Sequence, residues 1–230
     1  MKGPDWTTGR EGAGLTQVQA AKALGVSQPY LSQLEKGLRT ASSSLEARAA
    51  EFYGLRPTVL PLPEVPDKAK VKSDGLQDEL AALGYPGFAH VRSKQKTNPA
   101  AVLFAAIIQR NLDTRLVEAL PWVMCAYPDL DWPWLRDHAK LRNMQNRLGY
   151  IVYLAKEVER LRAKRSETAH VLSAWERELE DARLAREDTL CRESMPERER
   201  EWLKLHRPPA AQHWNLLTGL AVEQLSYASK

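Results

Sequence analysis

Apolar residues recur in steps of three and four along most of this chain. Ala20, Ala21 and Leu24 form one such series, Leu31 and Leu34 another, and Gly25 lies between them. That is the period of a helix with one buried face, so the stretch predicts two short helices joined by a tight turn. Gly25 supplies a residue that can take a positive φ at the turn. Ser27 is suited to cap the second helix. Pro29 falls in that helix's first turn, where backbone N–H groups have no helical partner to lose. Ala21 is small enough to let another helix cross close by.

The period returns at Leu148, Ile151, Ala155 and Val158 and again at Leu172, Trp175, Leu179 and Ala182, with neither Gly nor Pro between Gly149 and Pro196. The charge-dense "EVERLRAKRSET" between these series fits a loop in a helical hairpin and the middle of one long helix equally well. Alternating β-branched patterns are nearly absent, so the expected fold class is all-α. Residues 61–75 hold Pro61, Pro63, Pro66, Lys68, Lys70 and Lys72 and carry no period, which predicts a Pro- and Lys-rich linker. The chain then divides into a small helical unit at 1–60, the linker at 61–75 and a larger helical region at 76–230.

Composition narrows the class. The chain has 230 residues, enough for two small domains, and 43% of them are hydrophobic. No run approaches a membrane span, and the opening "MKGPDWTTGREGAG" has no apolar stretch to serve as a secretory signal. The expected location is the cytoplasm, in association with a bacterial nucleoid, with no membrane partner. Cys125 and Cys191 stand far apart and read as reduced thiols. Thirty-three basic against 29 acidic residues is compatible with an anionic partner without demanding one.

Once Leu31 and Leu34 face inward, the second helix turns Gln28, Tyr30, Ser32, Gln33 and Lys36 outward. Glutamine can donate to and accept from adenine at once, serine can serve several bases, and helix N-terminal amides and lysine suit phosphates. The ordered combination of "GLTQ" at 14–17, Ala21, Gly25, Val26 and "SQPYLSQLEKG" at 27–37 resembles the helix-turn-helix of the Cro/repressor (XRE) family, over residues 10 to 60. The following "SSSLEARAAEFYGLRPTVL" is similar to that family's next helix and closing apolar turn.

The resemblance implies a five-helix, lambda-repressor-like domain whose Gln28–Gln33 segment enters the major groove of double-stranded DNA. It places Gln28 and Gln33 at base-reading positions, Pro29 where a second polar reader often stands, and Gln17 at a phosphate-binding position. It also pairs Arg10 with Glu35. The candidate DNA-binding set is therefore Gln17, Ser27, Gln28, Pro29, Tyr30, Ser32, Gln33 and Lys36. Lys68, Lys70, Lys72 and "RSKQK" at 92–96 are further candidates for phosphate, or simply solvated. Upstream, Gly3, Pro4, Gly9 and Gly12 with only Trp6 as a bulky anchor predict a short or irregular first helix.

The larger region offers no catalytic set, no metal-ligand spacing and no cofactor motif, so an enzyme is not expected. Its Trp-rich segment around Asp131, Trp132, Trp134, Asn143, Gln145 and Asn146 reads either as a pocket or as a helical core with amides bonded to loop backbone. The function expected is a transcriptional regulator, a repressor acting as a homodimer. The alternative is an antitoxin-type autoregulator whose helical half neutralises a partner protein. Residues 76–230 are expected to hold the dimer together, with Leu172, Trp175 and Leu179 in the contact, and to leave room for a protein partner or a small-molecule effector. The smaller unit is expected to bury Leu15, Leu24, Val26, Leu31, Leu34, Leu45 and Phe52.

Overall fold

The computed structural model describes residues 1–63, 73–92, 96–162 and 167–228. It is mostly helical, with two large apolar cores and, among the described residues, a small third cluster of Met195, Leu203 and Leu217. The first is built by α1 (Gly3–Gly12), α2 (Gln17–Ala23), α3 (Gln28–Glu35) and α4 (Ser43–Phe52), followed by a 3-10 turn over Pro57–Val59 where a fifth helix was expected. Trp6, Ala20, Ala21, Leu24, Leu31, Leu34, Leu45 and Ala49 fill it, with Leu15 and Val26 packed at its edge. Phe52 is an exception: it is 46% exposed and lies against Tyr53.

The first helix is neither short nor irregular. Pro4 sits in its opening turn, the Asp5 carboxylate accepts the Lys2 backbone N–H at 2.6 Å, and Trp6 anchors it in the core. Its glycines are points of close approach rather than breaks. A Cβ at Gly3 would stand 2.7 Å from the Glu35 carbonyl oxygen, and one at Gly9 would stand 2.8 Å from the Tyr53 ring. Removing those side chains lets α1 lie directly on the end of α3 and on the segment after α4.

The second core gathers α5 (Ser73–Ala82), α6 (Pro99–Ile107), α7 (Thr114–Ala126), α8 (Trp132–Leu141), α9 (Gln145–Arg162) and α10 (Glu167–Glu180). Since α5 starts at Ser73, the helical region begins inside the stretch assigned to the linker. Lys68, Lys70 and Lys72, like Ser93, Lys94 and Gln95, lie outside the described residues. Helix α6 is apolar around its whole circumference and nearly every residue of it is buried, as a central helix requires. Asn98 caps it by accepting the Ala100 N–H at 3.0 Å.

The gap without Gly or Pro resolves into α9 and α10 packed on each other, so the hairpin reading holds and the single-helix reading does not. This overturns the expected dimer contact. Leu172 and Leu179 are 0% exposed and Trp175 7%, all within their own chain, and Trp175 stacks on Trp132 of α8 at 4.6 Å and 7°. The apolar face of a lone α10 looked unpartnered because its stacking partner on α8 lies far from it in sequence and the hairpin with α9 was one of two readings.

Buried polar groups hold the remaining loops. Arg147 is 1% exposed, and its guanidinium donates to both Asp188 oxygens at 2.7 and 2.9 Å and to the Ile107 and Gln109 carbonyls at 3.0 and 2.7 Å. The Asn146 side chain donates to the Leu184 carbonyl and accepts from its N–H, each at 2.9 Å, while Gln145 donates to Ala182 O at 3.1 Å. These amides therefore serve loop backbone, the second of the two readings above. Asp131 caps α8 as its position suggests, accepting from Trp134 N at 3.1 Å.

Beyond α10 the chain forms β1 (Asp188–Thr189), α11 (Glu197–His206), α12 (Pro209–His213) and β2 (Leu216–Leu217). The strands pair in parallel, Asp188 opposite Leu216, and were not foreseen because two residues carry no alternation to read. In α9 the absent side chain of Gly149 admits the Trp214 ring, whose Cε3 would lie 2.6 Å from an added Cβ.

The two cores meet through the segment after α4. Arg56 donates to Ala126 O at 2.6 Å and pairs with Asp129 at 3.1 Å, and the Thr58 hydroxyl donates to Asp129 at 2.8 Å. The buried Asn98 amide donates to the Thr58 and Leu60 carbonyls at 3.0 and 2.7 Å. Among the described residues no helix is long and apolar enough to cross a membrane.

Candidate nucleic-acid interface

Local chemistry builds α2 and α3 as the sequence suggests. Gly25 has φ +64°, and Val26 N–H bonds back to Ala21 O at 2.9 Å, closing α2 before the turn. Ser27 caps α3 by accepting the Tyr30 N–H at 3.3 Å, with Pro29 in the first turn. Thr16 caps α2 by accepting the Gln19 N–H at 3.3 Å, and Gln19 accepts the Thr16 N–H at 2.9 Å. That reciprocal cap is legible in the Thr-x-x-Gln spacing but was not among the candidate features.

A continuous line of hydrogen bonds crosses from the first helix to the start of the third. Arg10 Nε donates to Glu35 Oε1 at 2.7 Å and Nη2 to Oε2 at 3.3 Å; Nη1 donates to Leu15 O at 3.0 Å. Gln17 Nε2 donates to Glu35 Oε2 at 2.8 Å, and Gln28 Nε2 donates to Gln17 Oε1 at 2.7 Å. The direction of this line follows from chemistry. An ionised carboxylate only accepts, so Gln17 must turn its NH2 to Glu35 and its oxygen to Gln28. Gln28 is then left with its own oxygen and one N–H uncommitted.

Electrostatics support the same order. Burial alone would raise the Glu35 carboxyl, but the hydrogen bonds from Arg10 and Gln17 and the Arg10 charge hold it below the usual carboxylate range. The Arg10 guanidinium is raised, chiefly by its bond to Glu35. The pair implied by the resemblance is thus made, and with side chains only 13% and 6% exposed it is largely shielded from solvent.

The eight candidates do not all sit alike. Ser27, Pro29 and Lys36 are exposed, Gln17, Gln28, Ser32 and Gln33 are half-buried, and of these four Gln17 and Gln28 are joined directly by a hydrogen bond. Tyr30 departs from the outward reading. Its ring packs at the edge of the core, and its hydroxyl donates to Thr40 O at 3.4 Å. That bond ties α3 to the loop after it, which carries the exposed Leu38 and Arg39. Of the basic side chains at 92–96, Arg92 and Lys96 are described, and Lys96 borders a cavity of about 300 Å³ beside α4, away from α3.

Residues 8–62 match the family model described as a helix-turn-helix domain. Neither the curated proteins nor the solved structures contain a match to the chain. The amino-terminal part is a helix-turn-helix domain carried by a larger helical region.

Proposed function

We propose that this protein is a sequence-specific binder of double-stranded DNA that regulates transcription, acting as a repressor by occupying its site. The observation that carries the reading is the pinned Gln17–Gln28 pair on a helix-turn-helix domain. Two amides whose orientations are fixed before contact lie where one helix meets the next. Gln28 and Gln33 present amides to base edges in the major groove, with Ser27, Ser32, Pro29 and Tyr30 shaping that face. Gln17 and Lys36 hold phosphates.

A single short helix reads only a few base pairs, so two copies occupy one roughly symmetric site, their centres about 34 Å apart or a multiple of it. The contact between copies does not use Leu172, Trp175 and Leu179. In this reading the protein works by binding, carries out no reaction, and acts where the chromosome is. Selection of bound duplexes from a random pool, followed by footprinting, tests it. A recovered motif with two related half-sites is expected, and a pool that stays random after several rounds would refute it. Co-purification of a stoichiometric second polypeptide from native cells would shift the reading to the autoregulating antitoxin.

A further inference from the structure

A cleft of about 560 Å³ opens on the far region, between α7, α11 and the segment that follows β2. Its size is that of a small-molecule site. Val117, Leu203, Leu217 and Leu220 supply apolar walls, and Trp202 stands at the edge with 56% of its surface exposed. Its ring stacks on His206 at 4.5 Å and 12°, which holds the indole in place at the rim of the cleft. Arg192 and Glu199 also border the cleft but are paired with each other at 2.5 Å.

The remaining charged group at this cleft is Glu118. It is half-buried on α7, and its side chain makes no hydrogen bond or ion pair among the described residues. Burial and the nearby Asp113 raise its carboxyl, opposed by the Arg115 charge. Its backbone carbonyl is already engaged by the Tyr227 hydroxyl at 2.6 Å, so the side chain is not needed to hold the loop. A carboxylate partly stripped of water, with the Arg115 charge nearby but no hydrogen bond or ion pair of its own, favours a cation, and the part of the Trp202 indole that borders the cleft favours one as well. An anion would meet Glu118 directly, and a neutral body of the same shape would leave the carboxylate uncompensated.

We infer that this cleft binds a small organic cation, an apolar or aromatic body carrying an ammonium group that faces Glu118, with Trp202 covering the body. The inference is independent of the DNA-binding reading. It also moves the ligand site away from the Trp-rich segment, where Asn146 and the Gln145 amide nitrogen are bonded to loop backbone.

Calorimetric titration of the full chain with three probes of one shape tests it: 1-naphthylmethylammonium, the neutral 1-naphthalenemethanol and the anionic 1-naphthoate. The ammonium should bind roughly tenfold or more tighter than the alcohol, with the anion weakest. Glu118→Gln should bring the ammonium to the affinity of the alcohol, while Trp202→Ala should weaken ammonium and alcohol together. Trp202 is exposed and the half-buried Glu118 side chain makes no hydrogen bond or ion pair among the described residues, so neither variant removes a bond that folding needs, and the wild-type comparison stands without either variant. Equal affinity for all three probes, no binding of the ammonium, or an ammonium preference that survives Glu118→Gln would overturn the assignment.

Discussion

Gln28 donates its side-chain N–H to the Gln17 carbonyl oxygen over 2.7 Å, and this bond joins the two helices of the turn across the face proposed to meet DNA. Gln17 in turn is held by Glu35, so the outward groups of Gln28 are set by a residue at the other end of α3. Gln28→Ala and Gln33→Ala should each cost about 1–3 kcal/mol on the selected site and leave affinity for random duplex nearly unchanged. Gln17→Ala should weaken both, since it removes the proposed phosphate contact and frees Gln28. Anisotropy titrations on matched and scrambled duplexes at one salt concentration read the difference. Equal losses on both duplexes for Gln28→Ala would remove its base-reading role.

Arg10 and Glu35 should matter for folding. Truncating either to Ala strands a largely buried charge and should lower stability by roughly 3 kcal/mol, measured by denaturant unfolding. The acid limb carries the same information. Because Glu35 titrates below its unfolded value, its contribution is fully present above the ordinary carboxylate range and is lost as pH falls through the depressed value. Glu35→Gln should therefore be less stable near neutrality and show a shallower loss of stability with acid. An unchanged acid limb would show that another carboxylate governs it.

The turn and its second helix were legible because local chemistry dictates them: Gly25, Ser27 and Pro29 act within a few residues of themselves. The packing around them was less so. Gly3 and Gly9 looked like helix breakers, because a sequence shows the missing side chain and not the neighbour that fills its place. Phe52 looked like core, because its helix face cannot be fixed until α1 is placed against Tyr53. In the larger region the hairpin was one of two readings, and Trp175 seemed free until Trp132, distant in sequence, came to stack on it. The uncommitted Glu118 gave no sequence signal at all, since only the surrounding cleft distinguishes it from any solvated glutamate.

The glycines of α1 should respond with opposite signs. Gly9→Ala gains helix propensity but drives a Cβ into Tyr53 and Leu55, at 2.8 and 3.0 Å, and should destabilise by about 1–3 kcal/mol. Gly12→Ala meets nothing within 4 Å and should stabilise by up to about 1 kcal/mol. Thermal melts of the two variants decide it, and a gain for Gly9→Ala would mean α1 is free to shift. Tyr53→Phe should be neutral or stabilising, because the Tyr53 hydroxyl is buried without a hydrogen-bond partner.

Arg147 should be the least replaceable side chain of the larger region. Arg147→Met leaves two carbonyls without their side-chain donor and Asp188 without its counter-ion, with the Thr189 N–H still donating to it, and should cost about 3–5 kcal/mol. Arg147→Lys should recover little of it, since one ammonium cannot span both Asp188 oxygens and the carbonyls of Ile107 and Gln109. Urea unfolding of both variants checks this, and a Lys variant as stable as wild type would contradict it.

Asn98 uses its amide nitrogen on two carbonyls of the segment after α4 and its oxygen on the start of α6, while Asp129 holds Arg56 and Thr58 beside it. Helix α3 is thereby fixed to the larger region when the chain folds, before it meets any partner. In rotational terms α3 and α9 belong to one tumbling particle, and 15N relaxation should return a single correlation time for both. Orientational freedom already given up need not be given up again on association. The angle at which α3 meets a groove is then a property of residues that never touch the groove, so Asn98→Ala should loosen the tolerated spacing between half-sites while leaving the base preference within each unchanged.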